Sequence, residues 1–321
     1  MAQNQNIYLK AKKWVAAAVG ALERDTVLPM AFARYDGNGF VGAENDTVTW
    51  KLPGLTTARD YEFRTRNNPI VLDYITRTSV SIQLNEHVYN AIPITDEENT
   101  LDVTSFAEEI VTPQVNAVAE RMELKVANKL ASLPFARTDL NAAAADDPFA
   151  YALAVKGVLD RQGTPTQGRK LILGTNAYAW MLQSESLRQY DPSQAQTAYR
   201  RATAGTIAGF DIVDGGALID ANAIYAVHSS AMVIANLAPA VPQGAVWGAR
   251  RNYGGWSMRL MRDYDAQYLR DRSILSTFAG LSSVNDEYER EDGVIALDED
   301  GIPVLTGKNV RGAKGEFSPS P

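Results

Sequence analysis

The stretch DVTSFAEEIVTPQVNAVAERMELKVANKLASLP, residues 102–134, decides how the rest of the chain is organised. Its apolar residues recur at steps of three and four, which places them on one face of an amphipathic helix roughly 45 Å long. No heptad pattern continues on either side, which favours the spine of a domain over a coiled coil. The apolar face consists of Phe106, Ile110, Val111, Val115, Val118, Met122, Val126, Leu130 and Leu133.

Boundary signals stand at both ends of this helix. Ser105 followed by Glu108 forms a capping box, with two neighbouring residues as rival caps, and Pro134 closes the other end. Pro113 falls inside the pattern, and a proline removes one helical hydrogen bond. The sequence therefore predicts either a kink at Pro113 or a break into two helices.

Composition limits the classes of protein to which the chain can belong. With 321 residues, 45% hydrophobic and 21% charged, it has the make-up of a soluble folded protein of one large or two ordinary domains. The net charge of −7 argues against a dedicated nucleic-acid binder. The absence of cysteine excludes disulfides and thiolate metal sites, and it suits synthesis in the cytosol. Its most apolar early stretch, residues 14–22, is too short to cross a membrane, so no membrane partner is expected.

Apolar and polar side chains alternate in residues 46–52 and 76–84, which predicts two strands. The segment between them is rich in charged residues and reads as a long projecting loop. Such a projection suits a subunit that must reach a neighbour. Within it Tyr61 and Phe63 point one way by strand parity, and charged residues point the other way. We expect these residues to form a contact between subunits, because an isolated projection has no core for two aromatic rings. The predicted contact residues are Arg59, Asp60, Tyr61, Glu62, Phe63, Arg64 and Arg66.

A compact α/β unit is predicted after the spine helix, from the alternation of helical and strand patterns. Strands return from residue 253, a small hairpin is predicted within residues 294–305, and residues 308–321 read as a mobile end. The unit has helices at 148–161 and 175–183, strands at 170–173, 210–213 and 223–227, a polar loop at 185–205, and a helix or helical turn at 229–237.

Catalytic and cofactor patterns in the sequence are incomplete. Residues 37–42 match G-x-G-x-x-G, but a strand pattern follows where a dinucleotide site needs a helix. Residues 301–308 have the wrong spacing for a phosphate loop, and the acidic turn at 298–301 has no closing glutamate for calcium. The two histidines, His87 and His228, stand apart, and His228 reads as a helix-start or packing residue. We therefore expect no enzyme activity, no cofactor and no metal.

The order of these elements resembles the major capsid proteins of tailed bacteriophages, with the Hong Kong phage-type fold. Several short segments are also similar in sequence to the coat-protein branch of that family. The segments that carry the resemblance are VSIQL at 80–84, GTP at 163–165, GRKLIL at 168–173, GFDIV at 209–213 and AVHSSA at 226–231.

This resemblance implies an α+β phage capsid fold, in which a long spine helix packs on an extended sheet beside a long extended loop and a compact α/β axial domain. It implies a structural protein of the virion that assembles with itself, in the host cytoplasm, into hexamers and pentamers of an icosahedral head. Scaffolding and portal proteins and packaged double-stranded DNA, bound without sequence specificity, are the implied partners. The alternatives are the shell of a nanocompartment that encloses an enzyme and, in another class, a hydrolase or nucleotide-binding enzyme.

The domain organisation that we expect on this resemblance has six parts. They are an N-terminal arm at 1–30, the extended loop and flanking strands at 31–84, a peripheral domain with the spine helix at 85–139, the axial domain at 140–245, return strands of the peripheral domain at 246–285, and a C-terminal tail at 286–321.

Overall fold

The computed structural model describes residues 27–36, 47–51, 79–95, 110–143, 146–183, 206–253, 256–285, 290–291, 294–295 and 307–319. In these segments the chain forms two large sheets and three α-helices, the α+β arrangement that the sequence predicts. The helices are α1 (Thr112–Ala131), α2 (Pro148–Arg161) and α3 (Thr175–Leu182). The strands are β1 (Ala33–Asp36), β2 (Thr47–Lys51), β3 (Ser79–Gln83), β4 (Glu86–Thr95), β5 (Phe135–Arg137), β6 (Ala142–Ala143), β7 (Arg169–Leu173), β8 (Thr206–Ile207), β9 (Phe210–Asp214), β10 (Ala223–His228), β11 (Met232–Leu237), β12 (Trp247–Tyr253), β13 (Trp256–Asp265), β14 (Arg270–Ser283), β15 (Arg290–Glu291), β16 (Val294–Ile295) and β17 (Asn309–Ser318).

Helix α1 is the predicted spine, and it packs against both sheets. Val115, Val118 and Met122 lie in a core cluster with residues of the first sheet. Further along the helix, Val126 and Leu130 lie in a second cluster that contains residues of the other sheet. One continuous apolar stripe therefore joins the two halves of the fold.

The described part of the spine helix begins close to Pro113. Residues 110–111 have π-helical geometry, and the regular α-helix begins at Thr112 with Pro113 in its first turn. A proline is tolerated there because its missing N–H would have no partner in the helix. Pro113 therefore lies where π-helical geometry changes to the regular α-helix, and the predicted kink or break remains a prediction because residues 102–109 lie outside the described residues. The capping box at Ser105 and Glu108 lies outside the described residues.

The first sheet is organised around the long strand β14. Strand β4 pairs with one side of it, and β13 and β11 follow one another along the other side. Strand β12 pairs with β13, and β1 adds to β11 in parallel. Asn236 fills the junction between β11 and β13: its side-chain oxygen accepts hydrogen bonds from the Ser257 N–H and hydroxyl, and its amide donates to the Thr277 hydroxyl. All three residues are buried, so this network fixes the register at the point where one strand replaces another.

The second sheet has the order β5-β17-β10-β7-β9-β8, with β6 beside the end of β17. Side chains alternate between two cores along its central strands. Leu171 and Leu173 pack towards α2 and α3, whereas Ile172 between them packs towards α1. The Asp147 side chain accepts hydrogen bonds from two N–H groups in the first turn of α2 and so caps it. The predicted helix at 148–161 and the strand at 210–213 are confirmed, and the loop predicted at 185–205 lies outside the described residues.

Several sequence predictions are wrong in the C-terminal half. A 3-10 turn occupies residues 229–231, but residues 232–237 form strand β11 instead of a helix. Residues 308–321, predicted to be mobile, contain β17, which lies between β5 and β10 in the second sheet. The hairpin predicted within residues 294–305 lies mostly outside the described residues, which show Arg290–Glu291 paired with Val294–Ile295.

These pairings cross the expected domain boundaries, which remain a prediction. Strand β11 falls within residues 140–245 but belongs to the first sheet, beside β14. Strand β5 falls within residues 85–139 but belongs to the second sheet, as does β17 from the predicted tail. The two sheets therefore exchange segments of sequence instead of dividing the chain at residue 140. Among the described residues, no helix is long and apolar enough to span a membrane.

Candidate assembly surfaces

The loop predicted to contact a neighbouring subunit, residues 59–66, lies outside the described residues. The structure does describe the two arms that lead into it and out of it. Strands β2 and β3 pair antiparallel, from Thr47 opposite Gln83 to Lys51 opposite Ser79, which confirms both predicted strands. The chain therefore leaves the body of the fold and returns to it at the same place.

The base of this hairpin is fixed on the first sheet. Val80 and Ile82 of β3 are buried in a cluster with Val233 and Ala235 of β11. The strands cross so closely that a Cβ at Gly280 would lie 2.4 Å from the Gln83 carbonyl oxygen, a distance that real Cβ atoms do not adopt. Glycine at this position therefore lets the arm lie directly on the sheet.

A second projection is the tip of the hairpin between β13 and β14. Tyr268 and Leu269 are 61% and 65% exposed, although both are large apolar residues. The Arg270 guanidinium lies 4.7 Å from the centre of the Tyr268 ring, a cation–π contact that holds the ring in place. Leu269 has a φ of 47°, in the left-handed region that a leucine rarely adopts. The tip thus presents two fixed apolar side chains outside the core.

Arginine and aspartate pairs cover both faces of this hairpin below its tip. On one face Arg262 lies 2.8 Å from Asp271. On the other face Arg272 lies 2.7 Å from Asp263, and its second terminal nitrogen is 3.7 Å from Asp265. Partly exposed pairs of this kind contribute only about 0.2–1 kcal/mol each to stability. Their main effect is to stiffen a charged stem beneath an apolar tip.

His228 stands where the chain passes from the second sheet to the first. Its Nε2–H donates to the Gln167 carbonyl at 2.8 Å, because a carbonyl oxygen can only accept. This tautomer leaves Nδ1 to accept from the Ser230 N–H at 3.1 Å, so His228 caps the turn that follows, as predicted. Burial lowers the pKa of His228, the hydrogen bond to Gln167 raises it, and the Arg311 and Arg169 guanidinium groups lower it further. The neutral imidazole is therefore a structural link between the sheets.

The described residues hold no group of three or more histidine, aspartate or glutamate side chains that could bind a metal ion. His87 lies on the first sheet with its ring centre 4.8 Å from that of Phe278, in edge-to-face contact. Burial lowers the pKa of His87, and the charge of Arg259 adds to this shift. Both histidines thus have packing or hydrogen-bonding roles, in separate parts of the fold.

Sequence reasoning did not find the β13–β14 tip. The signal was the doublet Tyr268-Leu269 between two segments in which arginine and aspartate alternate. An apolar pair in a turn that links charged strands is separated from the apolar core. The same argument from parity was applied to residues 59–66 and not to this turn.

Several solved structures with a similar fold are phage structures. The chain matches a protein of Mycobacterium phage Che8 with a TM-score of 0.57 and 16% identity, over 91% of each chain. It matches the capsid structure of the cyanophage P-SCSP1u with a TM-score of 0.54 and 11% identity, over 87% of this chain and 85% of that one. For the mature capsid of bacteriophage PhiM1 the TM-score is 0.53 and the identity 11%, over 92% of this chain and 88% of that one. No protein-family model and no curated protein matches the sequence.

The architecture consists of two sheets on one spine helix, with the paired strands β2 and β3 lying against the first sheet. The chain has the fold of tailed-phage major capsid proteins, the Hong Kong phage-type fold, as the sequence resemblance implies. The similarity extends over most of each chain, so it concerns the whole architecture and not one shared domain.

Proposed function

We propose that this protein is the major capsid protein of a tailed bacteriophage. It assembles with itself into hexamers and pentamers of an icosahedral head, which encloses double-stranded DNA. The observation that carries the proposal is the likeness of fold over about nine-tenths of the chain to phage structures, two of which are described as capsids. Scaffolding and portal proteins are the further partners that such a head requires, and assembly takes place in the host cytoplasm.

Two projections support a role in assembly. The paired strands β2 and β3 flank the segment that contains residues 59–66, and the β13–β14 tip carries Tyr268 and Leu269. Aromatic side chains are frequent anchors of interfaces, and flanking charges set register and orientation. We assign the first projection to contact with one neighbouring subunit and the second projection to contact with another.

The proposal also assigns each of the two sheets to a domain of the capsid subunit. The first sheet, with the N-terminal half of α1, serves as the peripheral domain at the junctions between capsomers. The second sheet, with α2 and α3, serves as the axial domain around the capsomer centre. The boundaries follow the strand pairings given above, with β11 in the first unit and β5 and β17 in the second.

Electron microscopy of the purified full-length protein tests the proposal directly. We expect closed shells of uniform size, or hexamers and pentamers that close when scaffolding protein is added. A protein that remains monomeric under both conditions would contradict the proposal. Shells that are isolated with a protein cargo instead of DNA would favour the nanocompartment, and turnover abolished by a point change would favour an enzyme.

A double variant tests the predicted loop contact. Tyr61→Ser with Phe63→Ser should leave a folded subunit with nearly unchanged melting, yet it should run as free subunits or small capsomers on a sizing column. The matched control, Tyr61→Phe with Phe63→Tyr, keeps both rings and should assemble normally. If the serine variant assembles as well as the parent, residues 59–66 do not carry this contact.

A further inference from the structure

A polar cleft of about 330 Å³ lies between the exposed side of α1 and the start of β4. It is open to solvent, and most of its lining side chains come from one stripe of the helix. None of the surfaces described so far includes it. The lining residues are Asn85, Glu86, Arg121, Lys125, Asn128, Lys129, Ser132 and Leu281.

The cleft carries an excess of positive charge in a chain whose net charge is −7. Its one carboxylate, on Glu86, lies 2.5 Å from the Lys125 ammonium group and neutralises it. Arg121 and Lys129 have no acidic partner among the residues that the structure describes. Two cations therefore remain for an anionic ligand.

The spacing of the cations suits a linear array of negative charges. Arg121, Lys125 and Lys129 follow one another at steps of four residues, which is about 6 Å per step and about 12 Å over the stripe. Each strand of B-DNA advances about 3.4 Å per phosphate along the axis, so the stripe covers three to four phosphates of one strand.

The other lining groups also favour phosphate over an acidic peptide. The amides of Asn85 and Asn128 add hydrogen-bond donors beside the two cations. Contacts to phosphate oxygens come from such groups, and the lining offers almost no apolar surface for the side chains of a peptide. Leu281 is the one apolar side chain among the lining residues of this cleft.

We propose that this cleft is where the subunit binds the phosphate backbone of double-stranded DNA. The inference rests on the proposed function and adds an orientation to it: the exposed side of α1 faces the interior of the shell. Binding is electrostatic and independent of sequence, and each subunit supplies a small number of contacts. Many weak contacts on the inner surface hold the genome without fixing its position.

Salt dependence of DNA binding provides the first test. The full-length protein, before assembly, is titrated with a fluorescent double-stranded DNA fragment at several salt concentrations. Each phosphate contact contributes about 0.9 to the slope of log K against log salt, so Arg121→Gln with Lys129→Gln should make the slope shallower by about 1.8. The matched control is Arg250→Gln with Arg251→Gln, two exposed arginines of β12, which removes the same charge and should leave the slope unchanged. An unchanged slope in the cleft variant, or equal losses in both variants, would overturn the proposal.

A second test uses the absence of cysteine, which allows a single label per chain. A photoreactive maleimide is attached to Asn128→Cys in the cleft or to Tyr89→Cys, and DNA-filled shells are irradiated. Tyr89 lies on the face of the first sheet opposite to α1, because its neighbour Val88 packs into the cluster that contains α1 residues. We expect DNA cross-links from position 128 and none from position 89. The reverse pattern contradicts the inference but leaves the capsid function intact, whereas a failure to form any shell contradicts the function itself.

Discussion

Strands β4 and β10 show how differently the two sheets are covered. Along β10, five consecutive residues from Ala223 to Val227 are buried, because helices pack on both faces of the second sheet. Along β4, buried and exposed residues alternate, and Tyr89 is 64% exposed. A strand covered on both sides reads as a continuous apolar run, and a half-covered strand alternates.

This difference separates the part of the subunit that folds on itself from the part that keeps surface for other molecules. The second sheet has its core on both faces within one chain. The first sheet keeps an open face along β4 and an apolar hairpin tip between β13 and β14. Changes in the second sheet should therefore affect folding, and changes on the open face of the first sheet should affect assembly.

The largest expected effect comes from a charge placed in β10. Ile224 is fully buried, and Ile224→Asp should destabilise the protein by on the order of 5 kcal/mol, which is enough to unfold many domains. Tyr89→Asp, the matched change on the open face of β4, should cost less than about 1 kcal/mol. Circular dichroism melting of the two soluble fractions measures both effects. Equal destabilisation would show that β4 is as closely covered as β10.

A smaller effect is expected at the polar junction of the first sheet. Asn236→Ala removes the acceptor of the buried Ser257 N–H and should cost about 2–4 kcal/mol. Asn128→Ala, on the exposed side of α1, serves as control and should change the free energy of unfolding by less than about 0.5 kcal/mol. Urea unfolding at equilibrium measures the difference. Equal values for the two variants would mean that the junction does not fix the first sheet.

His87 lies in the first sheet and His228 in the second, so the stability of both sheets is expected to depend on pH. The pKa of His228 is lowered in the folded protein, so the unfolded state binds more protons at mildly acidic pH. Its contribution to stability is complete above the ordinary value of 6.5 and is lost as the pH falls from there towards the folded pKa. Melting of the wild type and of His228→Gln between neutral and acidic pH should show a smaller loss for the variant. His87→Gln measures the same effect in the first sheet, because the pKa of His87 is lowered as well. Equal curves for wild type and His228→Gln would exclude a role for His228.

The smallest expected effect is a gain in stability at Gly157. This residue lies inside α2, and a Cβ there would meet no atom within 4 Å. Gly157→Ala should therefore stabilise the protein by about 0.5–1 kcal/mol through helix propensity alone. Thermal melting measures the gain, and a lower melting temperature would show that something covers this side of α2.

The sequence predicts an element when the pattern of residues within that element is sufficient to distinguish a helix from a strand. The cap at Asp147 and the apolar spacing of α2 define that helix, and the alternation of Val80 and Ile82 defines β3. By contrast, the run MVIANL at 232–237 is buried on both faces, so its periodicity does not separate a strand from a helix.

The sequence does not predict strand β17, because its glycines are required by a neighbouring backbone segment and not by a turn. Gly312 and Gly315 resemble loop signals, but a Cβ at Gly315 would lie 1.4 Å from the Leu140 carbonyl oxygen. Glycine is required there because another backbone segment crosses the strand, and this crossing is a property of the tertiary structure. The phosphate-binding cleft escaped sequence reasoning in the same way, since Glu86 and Lys125 become neighbours only when β4 packs against α1.

The position of β17 in the sequence determines when the second sheet can be completed during synthesis. Its partner β10 ends at His228, so about 90 more residues must be added before residue 318 completes the second sheet. At about 5–20 residues per second, the edge of β10 waits without a partner for roughly 5–18 s. A chain that stops short of this strand keeps two open sheet edges, which invite aggregation. Among the described strands, β17 is therefore the last to be synthesised, and the second sheet lacks the strand between β5 and β10 until then.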